Sequence, residues 1–279
     1  MAHRRQFLAT LTAGGLTAAL PSFVFAQGGT ESAWDRIQRT KTLRIGAIPG
    51  AAPYYHKDLN SGEWQGFMID FAKNLADKLK VSLDVNETTW GNFVMELQSN
   101  RIDIFMGVNP SPERAKAIDI TNPLFNNAFV LVARKGFEPK TWEEINQPEC
   151  KIAVDIGSSH DQFISKMCPN ATLIRLKSAT EATMAVQSGR ADAQVLAIVL
   201  ALRIYSKNPN IGKIILPQPI QTTTTNIGLR KEEDKRMLEY VNNWIEEIRA
   251  SGFVQKTVLA NLEKFSGVTP DQLPAEISF

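Results

Sequence analysis

Phe129-Val130-Leu131-Val132-Ala133-Arg134-Lys135-Gly136 is an apolar extended run that ends on two bases, and Asn226-Ile227-Gly228-Leu229-Arg230-Lys231 echoes it later in the chain. Ahead of the first run, strands alternate with helices. Leu43-Arg44-Ile45-Gly46-Ala47-Ile48 reads as a strand. Phe67, Phe71, Leu75 and Leu79 recur every four residues, one face of an amphipathic helix. Residues 81–85 form a second strand, Phe93, Val94 and Leu97 mark a second helix, and Asp103-Ile104-Phe105-Met106 is a third strand. Between the two echoing runs the pattern restarts, with strands at 151–154, 173–176, 192–196 and 214–216 and helices at 161–167 and 181–187. Ser188-Gly189 closes the latter helix. Two helices, 232–250 and 252–262, finish the chain. Such alternation calls for an α/β fold with mainly parallel pairing. Two sets joined by two similar extended segments predict a bilobed molecule. The chain crosses near 130–136 and returns near 222–230, because the second Arg-Lys run and the trailing helices read as a return to the first lobe. The expected boundaries are 40–130 plus 226–265 for lobe 1, 131–225 for lobe 2, and 266–279 for a C-terminal tail.

Composition narrows the function. The 279 residues are 43% hydrophobic and 22% charged, as in an ordinary globular chain. Lys+Arg 31 against Asp+Glu 29 gives +2, so no global basic field points to a nucleic acid partner. With only three histidines and two cysteines in the whole chain, a Cys/His zinc cluster is not expected. No metal or cofactor is expected.

The first 26 residues read as an export signal. Arg4-Arg5-Gln6-Phe7-Leu8 opens a mildly apolar stretch that reaches Leu20; Pro21 breaks it, and Val24-Phe25-Ala26 supplies the small and branched residues of a cleavage site. The paired arginines followed by Phe-Leu resemble a twin-arginine signal, and Gly14, Gly15, Thr10, Thr12 and Thr17 keep the run only moderately hydrophobic. A general secretory signal is the alternative. The expected location of the mature chain, cut after Ala26, is the periplasm, as a soluble monomer. The longest later apolar stretch, residues 195–202, is far short of a membrane span. Cys150 and Cys168 would both meet an oxidising compartment, which makes them a candidate disulfide, with two buried thiols as the alternative.

Several motifs, taken in order, resemble family three of the bacterial extracellular solute-binding proteins, the polar amino acid receptors of ABC importers. Gly66-Phe67-Met68-Ile69-Asp70-Phe71-Ala72 is similar to the family's Gly-Phe-Asp-Ile-Asp-Leu-Ala segment, with Met68 departing. Trp90 followed by Leu97-Gln98-Ser99-Asn100-Arg101-Ile102-Asp103 resembles a second family segment, and Ser111-Pro112-Glu113-Arg114-Ala115-Lys116 resembles its Thr-Pro-Glu-Arg-Ala-Lys. Gly157-Ser158-Ser159 and Ser188-Gly189-Arg190-Ala191-Asp192-Ala193 stand where the second lobe calls for them. The resemblance implies a bilobed periplasmic-binding-protein-like (type II) fold with two crossover hinge segments. It also implies a small carboxylate or amino acid-like solute, and a membrane ABC permease as partner.

The chemistry of those residues agrees. Arg114 follows a strand on a loop, at the end of an α/β sheet where ligands bind. Its planar paired donors match a carboxylate, each charged hydrogen bond contributing ~1.5–3 kcal/mol. Asn109 and Ser111 add short polar groups beside it. Gly157, Ser158 and Ser159 open a helix whose backbone N–H groups would face an anion, Gly157 allowing close approach; Ser158 or Ser159 as a plain helix cap is the parallel reading. The resemblance implies that Tyr54, Tyr55 and Trp90 are aromatic groups against the solute, with Tyr54 and Trp90 preferred as walls, and that His160 faces the pocket. A core role for the aromatics and a surface position for His160 are the alternatives.

One departure bears on the solute. The resemblance implies a carboxylate for the solute's α-ammonium where this chain has Ala197, inside the apolar stretch 195–202. Asp155, just before the Gly-Ser-Ser turn, is a substitute by position. Otherwise the solute lacks a free α-amine, or is a compound such as ectoine caged by aromatics. Ser158-Ser159-His160-Asp161 is no hydrolase triad, because adjacent side chains do not converge as a triad must. No G-x-S-x-G, P-loop or G-x-G-x-x-G occurs. One enzyme reading stays open: elimination from a bound carboxylate, as in cyclohexadienyl dehydratases, with Asp155, Asp161 or His160 as the acid.

Overall fold

A computed structural model describes residues 31–270. The export signal at 1–26 and residues 271–279 of the tail lie outside the described residues. Helix α1 (Ala33–Thr40) leads into β1 (Thr42–Ala47), the short hairpin β2 (His56–Lys57) and β3 (Trp64–Gln65), and α2 (Phe67–Leu79). Then follow β4 (Ser82–Glu87), α3 (Phe93–Gln98), β5 (Ile104–Val108), α4 (Pro112–Ala117) and β6 (Ile118–Ile120). The long strand β7 (Phe125–Arg134) and short α5 (Trp142–Ile145) precede β8 (Lys151–Asp155), α6 (Ser159–Met167), β9 (Thr172–Leu176), α7 (Ala179–Gln187) and β10 (Ala193–Ala197). Helix α8 (Ile198–Lys207), β11 (Gly212–Ile215), the long β12 (Thr222–Arg230), α9 (Arg236–Ala250) and α10 (Phe253–Ser266) complete it.

The strands order as β4-β1-β5-β12-β7-β10-β8-β9, with β6 on β12 and β11 on β7. Each end is a parallel triplet with its first strand in the middle: β1 between β4 and β5, β8 between β9 and β10. Strands β7 and β12 join the triplets and pair antiparallel with each other through Phe125–Thr225 to Ala128–Thr222. Beyond that stretch they part. Residues 226–229 of β12 pair with β5, whereas residues 129–133 of β7 pair with β10. This is the bilobed type II architecture, and both echoing Arg-Lys runs are the joining strands.

Strand periodicity explains how β7 serves two cores. Successive side chains point to opposite faces, so Ala128, Val130 and Val132 enter the main core while Phe129, Leu131 and Ala133 enter a smaller one. Ile152 and Val154 of β8, Ala193 and Val195 of β10, Trp142 of α5 and Ile164 of α6 fill that smaller core. The first triplet rests on α2, whose Phe67, Phe71, Leu75 and Leu79 are all buried, as their spacing predicts. Gly66 begins that helix at φ +114°, and a side chain there would meet the Tyr54 carbonyl oxygen at 2.4 Å.

Two readings need correction. Arg114 lies in the first turn of α4 rather than on a loop, because Ser111 caps that helix by accepting from the Arg114 amide. Cys150 and Cys168 are free thiols, each turned to a different carbonyl, Cys150 Sγ to Glu144 O and Cys168 Sγ to Trp142 O.

Candidate functional site

The carboxyl ends of the triplets meet between the two halves, as expected for a ligand crevice in an open α/β sheet. From the first half, β5 ends at Val108 and the chain turns through Asn109 into α4. This carries Arg114, only 4% exposed, to the second half. Its Nη1 donates to Asn109 O at 2.9 Å, its Nη2 lies 3.4 Å from Gly157 O, and Cζ sits 5.1 Å from the centre of the Phe93 ring. Burial lowers the Arg114 pKa to about 10, so the guanidinium stays charged at neutral pH. Ser159 Oγ donates to Asn109 Oδ1 at 2.7 Å, while Asn109 Nδ2 is fixed to Thr224 O on β12.

From the second half, β8 ends in Asp155 and turns through Gly157 into α6. Gly157 is at φ +73°, and a Cβ there would lie 2.9 Å from Gly91 Cα. Only glycine fits both the backbone angle and the approach. Ser158 caps α6 by accepting from the Asp161 amide at 3.1 Å. Two amides of the turn are committed locally, Gly157 N to Asp161 Oδ2 and Ser158 N to Asp155 O. Ser158 is thus the cap, and Ser159 reaches the other half through Asn109.

Next to the turn lies a buried chain of three groups. His160, 3% exposed, accepts the Ala197 N–H on Nε2 at 2.9 Å. That assigns the proton of a neutral ring to Nδ1, which faces Asp155 Oδ1 at 3.2 Å. Phe129 stands edge-on to the imidazole, ring centres 6.0 Å apart. Burial pushes the Asp155 carboxyl up, but hydrogen bonding by His160, its own amide and Ser158 more than offsets this. The group is held below the usual carboxylate range. No side chain caps α8 at Ala197, so the His160 contact is what satisfies that amide.

Beside these groups is a cavity of about 350 Å³, lined by residues 48–51, 87–92, 155–156 and 177–180. Trp90 forms part of its wall, propped edge-on against Phe105 at 5.5 Å and 85°. Of the expected site residues, Trp90 and Asp155 line this cavity. Arg114, Asn109, Gly157 and Ser159 cluster around the cross-half hydrogen bonds; Ser111 and Ser158 are helix caps. Tyr54 is not brought to the cavity. It is buried in the core against Phe67 and Phe125, and its hydroxyl accepts from Asn127 Nδ2 at 2.8 Å. Tyr55 is likewise buried and donates to Met106 O. Thr88, Gly91, Lys177 and Thr180 line the cavity without having been singled out. Thr88-Thr89 directly before Trp90, just past a predicted strand, was the available signal for the first. Among the described residues no group of three or more His, Cys, Asp or Glu is placed to hold a metal ion, and no helix is long and apolar enough to cross a membrane.

Comparison with known proteins extends this picture. Residues 43–261 match the bacterial extracellular solute-binding proteins, family 3. A probable amino-acid ABC transporter-binding protein of Haemophilus influenzae is 25% identical over 243 residues, covering 86% of this chain and 91% of the relative. Cyclohexadienyl dehydratase of Pseudomonas aeruginosa is 24% identical over 230 residues, covering 81% and 84%. Among solved structures, an ancestral amino acid-binding protein, a precursor of cyclohexadienyl dehydratase, aligns with a TM-score of 0.74 at 30% identity. It covers 85% of this chain and 100% of that one. The family match runs from β1 into α10, through both triplets and both joining strands, and on that ground the chain belongs to the bacterial extracellular solute-binding proteins of family 3.

Proposed function

We propose that this chain is the solute-capturing component of an ABC importer, which closes its two halves over an amino acid or related small carboxylate and delivers it to a membrane permease. The observation that carries this reading is the Arg114 contact: a buried guanidinium from α4 lies 3.4 Å from Gly157 O on the opposite half. A solute carboxylate arriving there exchanges with that long carbonyl contact for a bidentate, charge-assisted pair. The hydroxyls of Ser111 and Ser159 flank it, and the Trp90 wall takes the body of the solute. Residues 40–130 and 226–265 act as one lobe and 131–225 as the other, with β7 and β12 as hinges. Only the closed form lets both lobes contact the solute, so binding shifts the population toward it. The chain works as an exported monomer in the periplasm, residues 1–26 serving as a twin-arginine leader.

A thermal-shift screen of amino acids, their derivatives and organic acids tests the proposal: saturable stabilisation without turnover is expected. A second reading, elimination from a bound carboxylate, draws support from the Asp155–His160 pair beside the cavity and from the dehydratase among the relatives. Product formation from prephenate or arogenate would replace the transport reading with that one.

A further inference from the structure

A second, smaller cavity of about 220 Å³ opens beside the first, between α7 and α8, with Gly50 of the first half as part of its wall. It shares Gly50, Ala179 and Thr180 with the larger cavity. A Cβ at Gly50 would lie 3.6 Å from Thr180 Oγ1, so the loop after β1 closes on α7 here. Arg203 of α8 is the charged residue of this lining, which holds no acid. Its side chain is half-buried, and its Nε is buried with no hydrogen-bond partner. Burial holds its pKa below the usual arginine value, with no neighbouring carboxylate to raise it. The polar groups around it are turned elsewhere. Gln187 Nε2 donates to Asn208 Oδ1 at 2.9 Å, Asn208 Nδ2 to Ile204 O at 3.2 Å, and Thr183 Oγ1 to Gln194 Oε1 at 2.8 Å. A buried donor left without an acceptor is costly, more so when it is charged. The planar fork of a guanidinium suits the paired oxygens of an oxyanion. The cavity has room for one such ion with a few waters, each taking ~30 Å³.

We propose that this cavity is an anion site, in which Arg203 takes a small inorganic oxyanion such as sulfate or phosphate, and that the ion favours the arrangement with the two halves together. Gly50 is the wall that the first half supplies. When the halves part, water reaches the guanidinium and weakens its pull on an anion, so the ion binds best while they meet. The site goes beyond the solute-binding reading, and only its effect on solute affinity rests on that reading. It stands apart from Arg114, whose guanidinium lies against Asn109 O and Gly157 O.

The test is equilibrium dialysis of labelled sulfate against the full chain, with ionic strength held constant by sodium chloride. We expect saturation near one ion per chain. Binding should be at least about tenfold weaker in Arg203→Met, which keeps an unbranched stem and removes the donors. A parent protein that binds no sulfate saturably overturns the site without reference to any variant. So does an Arg203→Met protein of native circular dichroism that binds sulfate within about threefold of the parent. Calorimetry then follows the amino acid that gives the largest thermal shift in the screen, with and without saturating sulfate. Its affinity should rise about fivefold with sulfate in the parent and stay level in Arg203→Met, and by reciprocity it should tighten sulfate by the same factor. Equal solute affinity in the parent with the sulfate site filled overturns the link to closure. Sulfate held through Arg203 by a chain that takes none of the screened solutes overturns the solute-capturing reading and leaves the anion site standing.

Discussion

The two triplets are built alike at one end and differently at the other. At the amino end of each third strand stands the same short motif, Ser99-Asn100-Arg101-Ile102-Asp103 before β5 and Ser188-Gly189-Arg190-Ala191-Asp192 before β10. Asn100 and Gly189 both take left-handed backbone angles, φ 58° and 71°, which turn the chain out of the preceding helix. Each aspartate then accepts the backbone N–H of its triplet's first strand, Asp103 from Arg44 at 2.7 Å and Asp192 from Lys151 at 2.8 Å. At the carboxyl ends the likeness stops. After β5 a capped helix delivers Arg114; after β10 an uncapped helix begins at Ala197 with a buried apolar turn. The second half carries its charge on β8 instead, at Asp155. The difference teaches that the amino ends set the scaffold, while the carboxyl ends are where chemistry is free to change.

The aspartate pair gives the largest expected effect. Asp103 is fully buried between Arg36 and Arg44, so Asp103→Ala leaves a buried arginine uncompensated and should cost about 3–5 kcal/mol in urea unfolding. Asp192→Ala, whose partner Arg134 is 41% exposed, should cost no more than about 1 kcal/mol. Equal losses would break the comparison. Removal of the imidazole in His160→Ala strands both Asp155 Oδ1 and the Ala197 N–H, for a loss of about 2 kcal/mol by the same measurement. Gly157→Ala strains a left-handed residue by roughly 1–2 kcal/mol and pushes on Gly91. It should weaken solute binding about tenfold, whereas Gly91→Ala, whose Cβ would have 3.7 Å of clearance, should change it little. The smallest effect is alkaline. Burial raises Tyr54 to about 12, and burial likewise raises Tyr55, both in the first half. The stability these phenols lend is complete below their ordinary value near 10 and is lost as pH rises through about 12. A phenolate absorbance titration should therefore show two tyrosines silent until the fold is lost.

Much of this was legible in the sequence because burial leaves a period. The strand at 43–48, the four-residue spacing of α2 and the two Arg-Lys runs each carried their own signal. Helix α8 did not, since a segment apolar on all sides reads the same as a buried strand. Arg114 was found through its motif, and its burial against Phe93 and Gly157 followed only from the fold. Tyr54 and Trp90 both sit on loops and look equivalent as aromatics. What separates them is Asn127, a partner on β7 that draws the Tyr54 hydroxyl inward. The link from Asp155 through His160 runs from the β8–α6 turn to Ala197, 37 residues on, and no local pattern marks it.

Closure of one half on the other over a bound solute is best tested by distance. Leu59, 94% exposed beside the β2–β3 hairpin, and Met184, 51% exposed on α7, offer label sites on opposite halves. Spin labels on a Leu59→Cys, Met184→Cys protein can be read by electron double resonance before and after saturation with the strongest-binding amino acid. The native thiols are buried, and burial raises both their pKa values, so they should react slowly. The account predicts a shorter, narrower distance distribution with solute and no change when Arg114→Ala is added. A distribution that stays the same while calorimetry shows the site filled would contradict it.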